Sequence, residues 1–354
     1  MRLKEFQKIL KSKKIDAAII MNYRSKDPNL LYFTQFETDF GILVAAKNLV
    51  KFVAAAMELE RAKKSSIIKS IIKIEKKDRK ERLFDFIKGL LKRQNVRRMG
   101  INKNIVSLNE YKEIKKSFKN IKFADISKIL NELRQKKTEK EVAIIKKACR
   151  ISDGILKKCI KDFRKFKTEK DAAEFLEKEA KKNNCSLAFP TIVASGENSS
   201  MPHHKTSNAK LKKGFCIIDF GVKYKNYCTD TTRTVYIGKP NEKEIEIYTL
   251  LLNLQKETIK ELRQNKNYKI IEETVRKKLK KYNKNFIHGL GHSFGINIHE
   301  YFDNKLKENF TITVEPGIYF EGKFGIRIED SVLIKKKNAE LLTKIPKDLI
   351  IVEM

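Results

Sequence analysis

Four carboxylates interrupt apolar, strand-like segments in the second half of the chain. Asp219 lies in FCIIDFG, Asp230 in CTDTTRT, Glu315 in TITVEPG and Glu329 in GIRIEDSV. Burying an unpaired carboxylate among apolar side chains is costly, and four such charges near one another repel strongly. A fold that buries these segments must therefore pair the acids with cations or gather them around bound metal ions.

The first two acids are expected to lie on neighbouring strands. A polar turn over residues 223–226 separates Asp219 from Asp230, and a hairpin at that turn brings both carboxylates to one site. An oxygen-rich ligand set with one imidazole suits Mn, Co, Fe or Zn better than a thiolate site does. Each acid taken alone also fits an edge strand or a salt bridge, so the hypothesis depends on the motifs occurring together.

All five histidines of the chain lie in two short stretches. MPHHKTS contains His203 and His204, and HGLGHSFGINIHE contains His288, His292 and His299. The second stretch lacks the HExxH spacing of helical zinc peptidases, and the chain has no GxSxG, P-loop or GxGxxG motif. Imidazoles confined to glycine-rich or proline-marked segments predict one site that the backbone approaches closely.

The chain is predicted to contain two domains. Helix-like and strand-like segments alternate over the first 130 residues, which predicts an α/β domain. Dense charge over Leu133–Thr138 marks a boundary, and Thr138 with Glu141 resembles a capping box that starts a new helix. Ten of the 14 glycines and five of the six prolines lie from Pro190 onward. We therefore predict an α/β domain at residues 1–133 and an α+β domain at residues 134–354.

The net charge is strongly positive and unevenly distributed. It is +34 overall, and 33 basic against 15 acidic residues give +18 within residues 1–135 alone. Such a charge is typical of a face that binds nucleic acid or the ribosome. Dispersed lysines without a basic, aromatic-interleaved strand motif instead favour a lysine-rich, solvent-facing surface, which is the interpretation we prefer.

The lack of recognisable targeting signals and the unpatterned cysteines predict a cytoplasmic protein. The N-terminal segment lacks the apolar core of a secretory signal. No run of about 18 uncharged apolar residues occurs, so no membrane span is expected. The five cysteines form no CxxC pair, which fits reduced, buried thiols.

From about residue 137 to the end, the chain resembles the pita-bread metallopeptidases, because these motifs occur together in the order found in that family. The family includes aminopeptidase P, prolidase and methionine aminopeptidase. The family's ligand pattern falls on Asp219, Asp230, His292, Glu315 and Glu329, all intact. The resemblance implies two divalent metal ions, either Mn, Co, Zn or Fe. It further implies that Asp219 binds one ion, that His292 and Glu315 bind the other, and that Asp230 and Glu329 bridge them.

The resemblance also implies roles for residues around the ions. The family's two outer histidines map onto His203 and His299, which are expected to contact the scissile amide and the oxyanion. Glu315 is expected to move a proton as general base and then acid. His204 is expected to be structural or to lie on the rim. The remaining pocket residues are His288, Tyr319 and Arg327. Arg327 is expected to orient a ligand carboxylate, and His288 is expected to be either a substrate contact or a structural support.

Three features resemble the proline-specific branch of the family. Arg327 precedes the last ligand in GIRIEDSV, PHH and EPGIY resemble that branch, and the first 130 residues resemble the creatinase/prolidase N-terminal domain in position and α/β alternation. The implied reaction is hydrolysis of Xaa-Pro bonds at the N-terminus of peptides or in dipeptides, by a homodimer. Two alternatives stay open: a methionine aminopeptidase-like activity, and a basic ribosome- or nucleic-acid-binding protein on a peptidase fold.

Overall fold

The structure is a computed structural model that describes residues 2–77 and 82–353. The chain forms two compact units, Met1–Arg134 and Gln135–Met354. The predicted boundary falls one residue before this division, and the assignment of the units as domains remains our proposal. None of the helices in the described ranges combines the length and the apolarity that a bilayer crossing requires.

The first unit is built on one mixed sheet. Its strands are β1 (Ala17–Asn22), β2 (Gly41–Ala46), β3 (Leu49–Ala55), β4 (Ile71–Ile74), β5 (Arg98–Ile101) and β6 (Lys122–Asp125). Its helices are α1 (Arg2–Ser12), α2 (Pro28–Thr34), α3 (Leu59–Ser65), α4 (Leu83–Leu91), α5 (Leu108–Ser117) and α6 (Ser127–Gln135). The strand order is β4-β3-β2-β1-β5-β6, with β1–β2 and β2–β3 antiparallel and the other pairs parallel. The predicted α/β character is confirmed.

The second unit carries more strands than helices. Its strands are β7 (Ser186–Leu187), β8 (Ile192–Ser195), β9 (Gly214–Phe220), β10 (Val222–Tyr224), β11 (Tyr227–Cys228), β12 (Thr231–Ile237), β13 (Thr311–Val314), β14 (Gly317–Phe320), β15 (Phe324–Arg327), β16 (Asp330–Ile334), β17 (Ala339–Leu341) and β18 (Ile350–Val352). Its helices are α7 (Glu139–Lys161), α8 (Glu169–Lys182), α9 (Glu242–Glu261) and α10 (Tyr268–Lys278). The strand orders of its sheets are β18-β12-β9-β8, β13-β16-β17, β11-β10-β7 and β14-β15.

Side-chain caps determine where the first two helices of this unit begin. The Thr138 hydroxyl accepts from the Glu141 N–H, and the Glu141 carboxylate accepts from the Thr138 N–H, as the sequence predicts. Thr168 and Asp171 form the same reciprocal pair at the start of α8. Such caps satisfy amide groups that have no partner inside the helix, so both helices start at a defined residue.

Strand β9 separates a helix-covered face from a face that is open to a cavity. Cys216 and Ile218 pack in the apolar cluster that includes α7 and α8. Ile217 and Asp219 alternate to the opposite face because successive strand residues point to opposite sides. Thr232 of β12 pairs with Asp219 across the antiparallel ladder. The sheet thus directs one acid and its neighbours away from the helices.

A second apolar cluster supports the other sheet. It joins α9 and α10 to β13 and β16 through buried side chains that include Leu251, Val275, Ile312 and Val332. Burying one such side chain contributes about 1.5–3 kcal/mol. The loops that follow β13 and β15 therefore start from a rigid base.

The five cysteines are all free and buried. Burial raises the pKa of the Cys159 thiol to about 12 and also raises the pKa values of Cys149 and Cys216. These thiols therefore act as small apolar side chains, as the sequence predicts.

Candidate active site

The four acids lie at or near strand ends of the second unit and line one cavity of about 710 Å³. Asp219 is the penultimate residue of β9, and Asp230 immediately precedes β12. Glu315 follows β13, and Glu329 lies between β15 and β16. These strand ends meet at one cavity, so the structure brings together carboxylates that are up to 110 positions apart in sequence.

His292 reaches the same cavity because its loop pairs with β13. The His292 N–H donates to the Thr313 hydroxyl (2.9 Å), and the Thr313 N–H donates to the His292 carbonyl (2.8 Å). His292 Nε2 then lies 3.3 Å from Asp230 Oδ2 and 3.5 Å from Glu315 Oε1. The backbone thus places His292 among the carboxylates, and its ring Nδ1 lies 3.3 Å from the Ser293 carbonyl.

The donor set fits a divalent cation. Asp230, His292 and Glu329 offer ligand atoms that all lie within 4.8 Å of one another. Two buried carboxylate oxygens, Asp219 Oδ1 and Glu329 Oε1, have no hydrogen-bond donor. Buried polar atoms without a partner are rare and costly, and oxygen ligands with one imidazole match Mn, Fe, Co or Zn. The carboxylates thus have the free oxygens that a metal ion requires.

The repulsion among the buried acids is only partly offset by the positive charge of Arg327. Burial, followed by repulsion from Asp219 and Glu315, raises the pKa of Asp230 well above its ordinary value. Burial, followed by repulsion from Asp230, Glu315 and Asp219, raises the pKa of Glu329 well above its ordinary value. Burial also raises the pKa of Glu315. A cation among these groups would restore their charged forms.

Arg327 connects two parts of the site. Its Nη2 donates to Asp219 Oδ2 (2.7 Å) and its Nε donates to the Thr232 hydroxyl (3.1 Å). The Thr232 hydroxyl in turn donates to Glu329 Oε2 (2.7 Å). One buried guanidinium therefore orients Asp219 directly and Glu329 through Thr232.

Tyr319 and His288 extend this network away from the acids. The Tyr319 hydroxyl accepts from Arg327 Nη1 (2.8 Å) and lies 3.0 Å from His288 Nε2. His288 Nδ1 lies 2.8 Å from the Gly289 carbonyl, and burial lowers the pKa of His288 to about 4. A neutral ring that donates from Nδ1 and accepts at Nε2 satisfies every contact. Both nitrogens are thus engaged inside the protein, which favours the support role among the two roles expected for His288.

His203 and His299 are the exposed histidines of the cavity lining. The His299 ring packs edge-on against His292 at a centroid distance of 4.2 Å. Burial and the nearby His292 and His203 lower the pKa of His299. His204 instead contacts Glu169, with Nε2 2.8 Å from Oε2. The two outer histidines therefore face the cavity, while His204 is engaged in the wall, although it also contributes to the lining.

The sequence interpretation missed Thr232, Thr313 and Glu169. Thr232 follows Asp230 by two residues, and Thr313 precedes Glu315 by two, with its hydroxyl donating to Glu315 Oε1 (3.0 Å). Period-two spacing puts such pairs on one strand face, so that signal was available. No local signal marks Glu169, because its partners are 26–35 positions away.

Family models match both parts of the chain. The model for metallopeptidase family M24 matches residues 143–336, and the model for the creatinase/prolidase N-terminal domain matches residues 2–136. An Xaa-Pro dipeptidase of Pyrococcus furiosus is 33% identical over 360 residues, which cover 99% of each chain.

Solved structures agree with this likeness. The chain is similar to an X-Pro aminopeptidase from Thermotoga maritima, with a TM-score of 0.90 and 31% identity, and to a prolidase from Pyrococcus horikoshii, with a TM-score of 0.87 and 30% identity. In both comparisons the match covers 99% of each chain.

Proposed function

The chain belongs to metallopeptidase family M24, and on that premise we propose that it hydrolyses the Xaa-Pro bond next to a free N-terminus, in dipeptides or longer peptides. Membership confirms both parts of the predicted fold, the creatinase/prolidase-like N-terminal domain and the pita-bread domain. It also confirms the prediction of a metallopeptidase. The Xaa-Pro specificity draws support from relatives that carry that activity in their names.

The observation that carries the proposal is the convergence of five potential metal ligands on one cavity. Asp219, Asp230, His292, Glu315 and Glu329 all line it, and two of their buried oxygens have no donor. A divalent cation held there would lower the pKa of a water molecule and polarise the scissile carbonyl. We propose two ions, drawn from Mn, Co, Zn and Fe.

The chain's own groups would orient the substrate and move the proton. Glu315 lines the cavity beside the other proposed ligands and would accept a proton from the attacking water and return it to the leaving nitrogen. Its Oε1 is held by the Thr313 hydroxyl. His203 and His299 reach the cavity from separate loops and would donate N–H groups to the substrate carbonyl as negative charge develops on its oxygen.

Apolar groups provide the complement to a proline side chain. Phe189, Pro190, Ile192 and Ile298 line the same cavity as the acids. A proline ring has no N–H to donate after the bond is formed, so apolar contact rather than hydrogen bonding must recognise it. This wall supports an Xaa-Pro substrate over one that needs polar recognition.

The cellular compartment, the oligomeric state and the preferred substrate length remain proposals. The free, buried cysteines support a reducing compartment such as the cytoplasm. The homodimer implied by the family resemblance can be tested by light scattering of the metal-loaded protein. The choice between dipeptides and longer peptides depends on how the cavity treats the substrate's C-terminal carboxylate.

A cleavage panel tests the function. The protein is loaded with Mn²⁺ and offered Ala-Pro, Ala-Pro-Ala and Met-Ala-Ser, each with an EDTA control. Asp230→Asn serves as the inactive variant. Glu340→Gln serves as the matched control, because Glu340 carries the same charge but pairs with Lys146 at the surface.

Each result has a defined meaning. Metal-dependent release of alanine from the proline peptides, lost in Asp230→Asn and kept in Glu340→Gln, supports the proposal. Cleavage of Met-Ala-Ser alone would favour the methionine aminopeptidase alternative. No metal-dependent cleavage of any peptide would overturn the proposal and favour the nucleic-acid-binding alternative.

A further inference from the structure

The two outer histidines, His203 and His299, lie on separate loops but have the same local arrangement. His203 and His299 are both exposed in the cavity, yet the residue that follows each is anchored in the protein interior. His204 contacts the carboxylate of Glu169. Glu300 is itself a carboxylate paired with a buried lysine. Each exposed imidazole is therefore adjacent to a residue that buried groups hold.

Glu169 anchors the first loop. Its side chain is fully buried, and its Oε1 accepts from the Ser195 N–H (2.8 Å), the Ser195 hydroxyl (3.0 Å) and the Asn198 amide (3.0 Å). Its Oε2 is 2.8 Å from His204 Nε2. With four donors, this carboxylate is satisfied as an anion and has a fixed orientation. It therefore locks the side chain next to His203 in one position.

Pro202, which precedes His203 in this loop, is fixed as well. The His204 N–H donates to the Met201 carbonyl (3.1 Å), which closes a turn around His203. The Pro202 carbonyl accepts from Arg327 Nη1 (3.3 Å). His203 is thus held between a carbonyl that Arg327 binds and a side chain that Glu169 binds.

Glu300 anchors the second loop in a comparable way. Its side chain is 3% exposed and that of Lys137 is 1% exposed, with Nζ 3.3 Å from Oε2. Its Oε1 accepts from the Ile296 N–H (2.9 Å) and the Asn297 N–H (3.3 Å), and its own N–H donates to the Ser293 carbonyl (2.8 Å). The segment from residue 293 to residue 300, which contains His299, is therefore closed on itself.

We propose that Glu169 and Glu300 are positioning residues for His203 and His299 on the cavity wall. Glu169 acts through His204, and Glu300, held by Lys137, acts through the loop of residues 293–300 that it closes. The inference rests on the proposed function, because its effect is measured as peptide cleavage. A buried carboxylate costs free energy unless it is fully bonded, and both are. Because neither carboxylate contacts one of the five proposed metal ligands, the loss of either is expected to leave metal binding intact.

The test is a double-mutant cycle on the metal-loaded enzyme. Glu169→Gln keeps the shape of the side chain but places an amide N–H₂ group against the ring Nε2–H of His204. It is expected to lower kcat/KM for Ala-Pro by about 10- to 100-fold, since small misplacements of catalytic groups have effects of this size. In the His203→Ala background, the same change is expected to alter kcat/KM by less than about twofold. Glu300→Gln is paired with His299→Ala in the same way.

Matched variants separate positioning from general stability. Glu179→Gln is the control, because Glu179 lies on the same helix as Glu169 and is nearly buried, but pairs with Lys158 and Lys182. His204→Gln keeps a donor near the position of the imidazole Nε2 and is expected to stay within about threefold of wild type, whereas His204→Ala loses as much as Glu169→Gln. Melting temperature and bound Mn²⁺ are measured for every variant.

The outcomes discriminate between the two hypotheses. Equal losses in the wild-type and His203→Ala backgrounds would show that Glu169 does not act through His203 and would overturn the inference while leaving the proposed function intact. The same logic applies to Glu300 and His299. If Glu169→Gln fails to fold, the His204→Ala and His204→Gln pair decides, and equal activities of these two would overturn the anchor. A wild-type enzyme that cleaves no Xaa-Pro peptide would instead overturn the proposed function.

Discussion

Replacing Glu329 with glutamine is expected to stabilise the metal-free protein while it weakens metal binding. Glu329 is 1% exposed, and its Oε1 has no donor. In the metal-free state, burial and the charges of Asp230, Glu315 and Asp219 oppose its ionisation and raise its pKa. Glutamine keeps the size of the side chain, removes the charge, and offers an N–H₂ group to a neighbouring carboxylate. The sign of the effect should therefore reverse between the metal-free and the metal-loaded protein.

The expected magnitude follows from the geometry. Ligand atoms of Glu329 and Asp230 lie within 4.8 Å of each other, and two unit charges at that distance repel by about 3.5 kcal/mol at an effective dielectric constant of about 20. Protonation relieves part of this in the wild type, so we expect a gain of about 1–3 kcal/mol. That corresponds to a rise in Tm of about 3–9 °C for a domain of this size. Metal ions at about 100 times Kd add about 2.7 kcal/mol to the wild type, which the variant should largely lose.

The pH dependence has a defined sign. Because the pKa values of Asp230 and Glu329 are raised in the folded metal-free protein, the folded state binds protons more tightly than the unfolded chain. Stability from this source is fully present below the unfolded carboxyl pKa of about 4 and is lost as pH rises through the raised folded values. The loss should be smaller in Glu329→Gln and should disappear when metal is bound.

The assay is thermal unfolding of EDTA-treated protein between pH 5 and 8, repeated with Mn²⁺, alongside calorimetric titration of the metal. Glu340→Gln is the control, because Glu340 is 39% exposed on β17 beside β16 and should shift stability by less than about 0.5 kcal/mol. A metal-free Glu329→Gln protein that melts at or below the wild-type temperature would refute the repulsion argument. Undiminished stabilisation by Mn²⁺ would refute the place of Glu329 in the metal centre.

Three further changes test other parts of the site. His203→Ala or His299→Ala is expected to lower kcat by about 100-fold and to leave the Mn²⁺-induced rise in Tm unchanged; loss of that rise would mean the histidine binds metal. Lys205 is the one lysine of the cavity lining and forms no ion pair within the described ranges. Lys205→Ala should therefore raise KM about tenfold for Ala-Pro but not for the C-terminal amide of Ala-Pro. An equal rise in KM for both substrates would contradict a contact between Lys205 and the substrate carboxylate. Tyr319→Phe removes a hydroxyl bonded on both sides, to Arg327 and His288, and should lower the free energy of unfolding by about 1–2 kcal/mol in urea denaturation; an unchanged value would contradict the network.

Local chemistry in the sequence was enough to predict the strand-end acids. Asp219 and Asp230 are separated by a short polar turn, and Lys225 and Asn226 adopt the positive φ angles that a tight turn needs, 46° and 69°. The carboxylates were conspicuous because their neighbours are apolar, which is a property of a few adjacent residues. The same holds for the capping box at Thr138, whose partner is three residues away.

Contacts between distant segments had no comparable signal. Arg327 pairs with Asp219 across 108 positions, and Lys137 pairs with Glu300 across 163. Such pairings depend on how loops pack in three dimensions, and a charged residue in a lysine-rich chain gives no periodicity that identifies its partner. The sequence could therefore predict which groups approach the cavity, but not the buried carboxylate of Glu169 that supports them.

The buried cysteines make the native protein a convenient background for site-specific labelling. All five thiols are shielded from solvent, and burial raises the pKa values of Cys149, Cys159, Cys185 and Cys216 away from the range in which a thiolate reacts. A single cysteine introduced at an exposed position such as Met57 or Ile270 would then be the thiol that a maleimide dye or spin label modifies. Fluorescence or electron-paramagnetic-resonance probes can thus be attached without first removing any native cysteine.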